Sequence, residues 1–197
     1  IPNPENAQAM ESLVQAVQKH NADFGLIFDT DVDRVGAVDK GGVVVNKNRL
    51  IAVISAILLR ETPGATIVTD SITSTGLAQF IQAHGGKHHR FKRGYKNVIN
   101  EAISLNQQGR YTPLAIETSG HAALKENYFL DDGAYLAIRL LIEVARLHQN
   151  NQGISDLLST LAEPEESIEF RLPIRCDDFV SYGQRLIGRL TEYAEKD

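Results

Sequence analysis

Three carboxylates stand at alternate positions in Asp29-Thr-Asp31-Val-Asp33, and an arginine, Arg34, follows at once. Carboxylates a few ångströms apart raise one another's pKa unless a cation sits among them. An oxygen-only, highly charged set of this kind suits a hard divalent ion such as Mg²⁺. A polar turn whose aspartates cap and hydrate is the simpler reading; three aspartates at this spacing behind the apolar run Phe24–Phe28 favour a metal. A second group is Glu117-Thr-Ser119-Gly120-His121. Its Glu and Ser offer acceptors and a donor suited to sugar hydroxyls, its Gly allows close approach of a ligand to the backbone, and its His can donate or shuttle a proton. A helix N-cap with a neighbouring surface His is the alternative. A third group, His88-His-Arg-Phe-Lys-Arg93-Gly94-Tyr95-Lys96, gathers positive charge on an otherwise acidic chain, which points to a small anion such as a phosphorylated metabolite. Asp131-Asp132 reads as the capped, charged start of a helix.

The elements that must position these groups follow from periodicity. Met10, Leu13, Val14 and Val17 recur at helical spacing after Asn6, a natural cap. Phe24–Phe28 is a short apolar strand that empties into the aspartates. Val35–Val38, Asp39-Lys-Gly41-Gly42 and Val43–Val45 form a hairpin about a glycine turn. Leu50, Ile51, Ile54, Ile57 and Leu58 line a helix stopped by Pro63-Gly64, and Ala65–Thr69 is the next strand. A helix from Ser74 or Thr75, a basic strand 87–93, a helix 94–105 and a strand 113–116 continue the alternation. Asp132 caps a long helix through Leu147; 154–161 is a further helix, 168–172 a strand, and Phe179–Leu190 a last amphipathic helix. Strands and helices in this rhythm predict an α/β fold, three-layer αβα, with a mixed, mainly parallel sheet and partial flanking domains. Ligands in such sheets sit beyond the carboxyl ends of the strands. The clusters 29–34, 70–73, 90–96 and 117–121 all fall at such ends.

Composition limits the function classes. The chain has 197 residues, 43% hydrophobic and 23% charged, with a formal net charge of −5. That balance argues against a general nucleic-acid binder, which must neutralise a phosphate backbone. No apolar run approaches the length needed to cross a membrane, and a lone Cys176 supports neither an internal disulfide nor a thiolate metal centre. The cytoplasm is the expected compartment. The chain opens on Ile1 rather than Met, so it is expected to be cut from something longer.

Two other metal-loop patterns bear on the same aspartates. An EF-hand loop requires Gly at its sixth position and Glu at its twelfth; counted from Asp29 these are Arg34 and Lys40, so it fails. Asp29-Thr-Asp31 also resembles the opening of the haloacid dehalogenase phosphatases, whose first Asp is the nucleophile. Asp33 stands there in place of the Thr or Val of that pattern.

Taken together, the motifs resemble the α-D-phosphohexomutases, the phosphoglucomutase and phosphomannomutase family. Asp29-Thr-Asp31-Val-Asp33-Arg34 is similar to the family's Asp-Gly-Asp-Gly-Asp-Arg metal loop. Ile116-Glu117-Thr-Ser119-Gly120-His121 resembles its sugar loop Gly-Glu-x-Ser-Gly-His, and Lys92-Arg93-Gly94-Tyr95-Lys96 its Lys-x-Gly-His-x stretch. Lys125-Glu126 and Asp131-Asp132-Gly133 follow in the family's order. Thr30 and Val32 replace the loop glycines, Tyr95 stands where His is usual, and Ile72 where some members have a substrate-binding Lys; these departures leave glucose or mannose preference open.

The resemblance implies a fragment: the end of domain 2 with the metal loop over 1–44, the sugar-binding domain 3 over 45–162, and a truncated start of domain 4 over 163–197. It implies Mg²⁺ on Asp29, Asp31 and Asp33, with Arg34 and His121 assisting phosphate positioning and proton movement. Arg93, Gly94, Tyr95, Lys96, Glu117, Ser119 and Lys125 would contact a hexose phosphate. The reaction implied is interconversion of hexose 1- and 6-phosphates through a phosphoserine and a bisphosphate intermediate. The family's Ser-His-Asn-Pro phosphoserine loop and its C-terminal phosphate-clamping loop are not in this sequence, so the fragment alone is expected to be inactive. A Mg²⁺ phosphatase and a non-catalytic sugar-phosphate module are the competing readings.

Overall fold

The first helix, α1 (Ala7–His20), forms where the apolar spacing predicts it: the Asn6 side chain accepts the Ala9 N–H, and Asn21 ends the helix in the left-handed conformation. A computed structural model describes residues 2–168 and 173–195, which divide into two units, Ile1–Pro164 and Glu165–Asp197. In the first unit β1 (Phe24–Phe28), β2 (Val35–Asp39) and β3 (Val44–Val45) make an antiparallel sheet, with Phe28 opposite Val35. The sequence predicts a mixed, mainly parallel sheet without assigning β1 a partner; the structure pairs it antiparallel with β2. The turn 29–34 is too short for the crossover that a parallel pair requires, so the chain folds straight back.

Helix α2 (Lys47–Glu61) is buried on every side from Leu50 to Leu59, as a helix apolar all round must be. The second sheet follows, in the order β5-β4-β6-β7. Strands β4 (Thr66–Thr69), β5 (Lys87–Arg90) and β6 (Leu114–Ile116) are parallel, and β7 (Ala122–Leu124) runs antiparallel beside β6. Alternation along these strands divides the core. Ile67, Leu114 and Ile116 face a cluster shared with α2, α3 (Thr75–Ala83) and α5 (Gly133–Gln149), whereas Val68 and Ala115 pack on α4 (Tyr95–Gln107). This is the three-layer αβα arrangement. The same large cluster takes in Val35, Ala37 and Val45 of the first sheet, so both sheets drain into one core.

Some expectations change in detail. The basic strand ends at Arg90, the helix expected over 154–161 is the single turn α6 (Ile154–Leu157), and β7 was not foreseen. Most of the strand expected over 168–172 lies outside the described residues. The second unit contains the amphipathic α7 (Phe179–Ala194). No helix among the described residues is long and apolar enough to cross a membrane.

One ion network ties α5 to α2. Glu143 is only 1% exposed, and its two oxygens receive bidentate forks from Arg60 of α2 and Arg146. Burial by itself would raise its pKa; the guanidinium hydrogen bonds and charges overcome this and bring it down from 4.5 to about 2. A depressed carboxylate pKa contributes stability that is complete above pH 4.5 and lost as pH falls toward 2. Allowing for the half-exposed guanidiniums, Glu143→Gln is expected to lower stability at pH 7 by about 2–3 kcal/mol. The acid limb of a urea-denaturation series should flatten by the same amount. An unchanged pH dependence in the variant would refute the assignment.

Candidate functional site

Strand β1 delivers Asp29, buried, to the top of the first sheet, and the turn 29–34 then spreads its carboxylates. Asp29, Asp31 and Asp33 each bring an oxygen within 4.8 Å of the others. Val32, exposed at the tip, adopts a left-handed φ of 64°, a strained conformation for a β-branched residue. Burial would raise the Asp29 pKa, but the hydrogen bonds and charge of Arg34 outweigh it and hold the group below the usual carboxylate range. Asp33 is raised instead, by burial and by the charges of Asp29 and Asp131, against the opposing charge of His121. Its Oδ1 is buried without a hydrogen-bond partner. An oxygen-only donor set with one orphaned, unfavourably buried carboxylate oxygen fits a hard divalent cation.

Arg34 turns inward. Its Nε donates to Asp29 Oδ2 at 2.6 Å and its Nη1 to Glu5 Oε2 at 3.2 Å, while its N–H donates to Asp29 Oδ1. Its backbone forms an antiparallel bridge with His121, which carries the 117–121 turn against the aspartate loop. Gly120 makes this possible. It has φ 102°, and a Cβ there would lie 2.9 Å from the Val35 carbonyl oxygen. The helix-cap alternative for 117–121 does not hold: the segment is the hairpin turn from β6 to β7, with Glu117 N–H donating to the His121 carbonyl.

Glu117 is buried, and its carboxylate accepts the N–H of Gly94, which stands ahead of α4 with φ 120°. Ser119 Oγ lies 3.5 Å from the other oxygen, Oε2. Burial and the nearby Asp70 raise the Glu117 pKa, while the Gly94 N–H, His121 and Arg93 oppose the shift. Tyr95 stacks on His121 with ring centroids 4.9 Å apart, and Lys96 Nζ lies 5.7 Å from the Tyr95 ring. Arg93 comes within 3.9 Å of Glu5, so one carboxylate faces both Arg34 and Arg93. Asp29, Asp31, Asp33, Arg34, Arg93, Gly94, Tyr95, Lys96, Glu117, Ser119 and His121 are thus brought into one neighbourhood.

Lys125 is not. Because β7 runs antiparallel to β6, Leu124 lies opposite Leu114 at the far end of the sheet. Lys125 Nζ there donates to Asn106 Oδ1 at 2.9 Å and lies 4.4 Å from the Tyr111 ring. The structure thus sets Lys125 apart from the other residues expected at the site.

Three residues at the site carry no individual role in the sequence-based expectation. Asp131, read as part of a helix cap, reaches His121 Nδ1 at 2.8 Å, while Asp132 alone caps α5 by accepting the Tyr135 N–H. Asp70, fully buried, accepts the N–H and hydroxyl of Thr118 and so anchors the turn; its pKa is raised by burial against those hydrogen bonds. Glu5 comes from the lead-in to α1. The hairpin β6–β7 would have revealed Asp131, and the signal available was Gly120 between two short apolar runs.

A family model described as phosphoglucomutase/phosphomannomutase, alpha/beta/alpha domain III, matches residues 46–164, and the corresponding domain II model matches residues 1–42. A phosphomannomutase/phosphoglucomutase of Pseudomonas syringae pv. tomato is 36% identical over 173 residues, covering 85% of this chain and 36% of the relative. The phosphomannomutase/phosphoglucomutase of Pseudomonas putida is 33% identical over 170 residues, with the same coverage. Among solved structures, a phosphoglucomutase/phosphomannomutase family protein from Burkholderia thailandensis superposes with a TM-score of 0.69 at 31% identity, over 82% of this chain and 33% of that one. The chain therefore spans about a third of the length of these relatives.

The two loops meet over a second glycine. The N–H of Gly133, the first residue of α5, donates to the Val32 carbonyl at 3.1 Å, and a Cβ on Gly133 would lie 2.8 Å from that oxygen. Helix propensity alone favours Ala over Gly by about 1 kcal/mol. Gly133→Ala is nevertheless expected to destabilise the protein by about 1–3 kcal/mol, because backbone must move to admit the methyl group. Chemical denaturation measures this, and a stabilised variant would show that the loop does not rest on α5.

Proposed function

The chain belongs to the phosphoglucomutase/phosphomannomutase family, and on that premise we propose that the full-length protein interconverts hexose 1-phosphates and hexose 6-phosphates. We assign 1–44 to the second domain, 45–162 to the third and 163–197 to the start of the fourth. The observation that carries the reading is the Arg34–His121 backbone bridge, which joins the carboxylate loop to the Glu117–His121 turn. A cation site and a hydroxyl-gripping site at that junction match the needs of phosphoryl transfer to a sugar.

In this reading Glu117 and Ser119 hold two neighbouring sugar hydroxyls. With the Gly94 N–H on one oxygen of Glu117, the other, 3.5 Å from Ser119 Oγ, keeps a lone pair to accept from the sugar. The same pair can grip the hexose in either orientation, which suits a bisphosphate that turns over between two transfers from and to a phosphoserine. Arg34 and Arg93, which already face a common carboxylate on Glu5, are placed to hold phosphate oxygens. His121 moves the hydroxyl proton. Asp29, Asp31 and Asp33 would hold Mg²⁺, whose chemistry here is neutralisation of charge on the transferring phosphoryl group. The phosphatase reading is less favoured, because the family models that match the chain are of phosphoglucomutase/phosphomannomutase domains. A free, exposed Cys176 suits a reducing compartment, the cytoplasm.

The full-length protein is expected to convert glucose 1-phosphate or mannose 1-phosphate to the 6-phosphate. In Glu117→Gln kcat/KM should fall roughly ten- to a hundredfold, since a charged acceptor for a hydroxyl is worth about 1.5–3 kcal/mol. Coupled assays on both sugars measure this, and no turnover on either by the full-length protein would overturn the proposal. Separately, Mn²⁺ titration followed by paramagnetic broadening should show a divalent site, at roughly millimolar or tighter affinity, that Asp31→Asn weakens and Glu117→Gln leaves unchanged. Equal affinity in wild type and Asp31→Asn would remove the metal from the aspartate loop.

A further inference from the structure

His121 is gripped at one edge and covered on one face. Asp131 Oδ2 lies 2.8 Å from its Nδ1, and the other oxygen, Oδ1, accepts the Ala122 N–H at 3.2 Å. The carboxylate thus spans the ring and the backbone of the next residue. Its own position is held on both sides: Asp131 forms an antiparallel bridge with Ala123, and the Asp132 N–H donates to the Ala122 carbonyl. The Tyr95 ring lies nearly parallel to the imidazole, 19° apart in plane. Asp33 Oδ2 stands 3.6 Å from the same Nδ1, farther than Asp131. Among the described residues no protein group bonds to Nε2.

We propose that Asp131 is a positioning residue that receives the Nδ1–H of His121 and so presents Nε2, unbonded by protein, to the reacting hydroxyl. The ring nitrogen that carries the proton is set by the hydrogen bond made on the other side, and an acceptor at Nδ1 leaves Nε2 free to accept. The helix-start role belongs to Asp132 alone, which caps α5 through Tyr135, so Asp131 is released from that duty. The proposal deepens the mutase reading and rests on it for its kinetic consequence.

Asp131→Asn separates positioning from structure. The amide oxygen can still accept the Ala122 N–H, but the amide nitrogen is a donor and faces Nδ1, so the ring is satisfied only by carrying its proton on Nε2. In the full-length enzyme kcat is expected to fall tenfold or more, with KM within about twofold of wild type and unfolding unchanged. In a His121→Gln background Asp131→Asn should cost almost nothing further, because the group it positions is gone. Wild-type kcat in Asp131→Asn, or losses that multiply in the double variant, would overturn the proposal. A second readout does not depend on turnover. In ¹⁵N-histidine-labelled full-length protein at a pH where the ring is neutral, His121 should carry its proton on Nδ1 in wild type and on Nε2 in Asp131→Asn. The same tautomer in both overturns the positioning role. If the tautomer switches while wild type turns over neither hexose phosphate, it is the mutase reading that fails.

Discussion

The arrangement depends on a close approach of backbone to backbone. The aspartate turn of the first sheet lies against the β6–β7 turn and the start of α5, through the Arg34–His121 bridge and the Gly133–Val32 hydrogen bond. At Gly120 and Gly133 a side chain would put carbon within 3 Å of main-chain oxygen, so these positions have room only for hydrogen. Carbonyl oxygens do not yield as the end of a flexible side chain does, and the constraint is therefore a steric one on two residues. With the contact in place, loops from two separate sheets share one set of partners.

The contact also crowds charge. Asp29, Asp33 and Asp131 would repel one another across a few ångströms, and Arg34 and His121 are interleaved among them. The pairing is uneven. Asp29 is well compensated by Arg34 and its pKa falls, whereas Asp33 keeps a buried oxygen with no hydrogen bond, only the Arg34 Nε at 3.9 Å, and its pKa rises. His121, buried in a way that disfavours its charge, is nonetheless raised because the hydrogen bond and charge of Asp131, with Asp33 behind it, outweigh desolvation. The cluster is thus electrostatically incomplete on the aspartate side, where a divalent cation would complete it.

Rigidity under the site comes from elsewhere. Helix α2, buried on every side from Leu50 to Leu59, packs with residues of both sheets in one core, and the Glu143 forks to Arg60 and Arg146 pin α5 onto it. Because α5 begins at Gly133, whatever holds α5 also holds the floor of the aspartate loop.

Much was legible in the chain itself. Short-range patterns reported the elements that depend on them: Asn6, Ser74 and Asp132 cap the helices they precede, and the glycine turn at 41–42 closes the β2–β3 hairpin. The aspartate spacing and the Glu117–His121 string carried the family resemblance, because side-chain type and local order carry a motif. Tertiary structure decided what local order cannot encode. It placed β1 in its own antiparallel sheet, turned Lys125 to the far end through the three-residue β7, and gave Asp131 rather than Asp132 to His121. Each of those outcomes turns on strand direction and on backbone contacts between segments far apart in sequence. A residue's type and near neighbours fix what it can bond, but only the folded register determines which partner comes within reach.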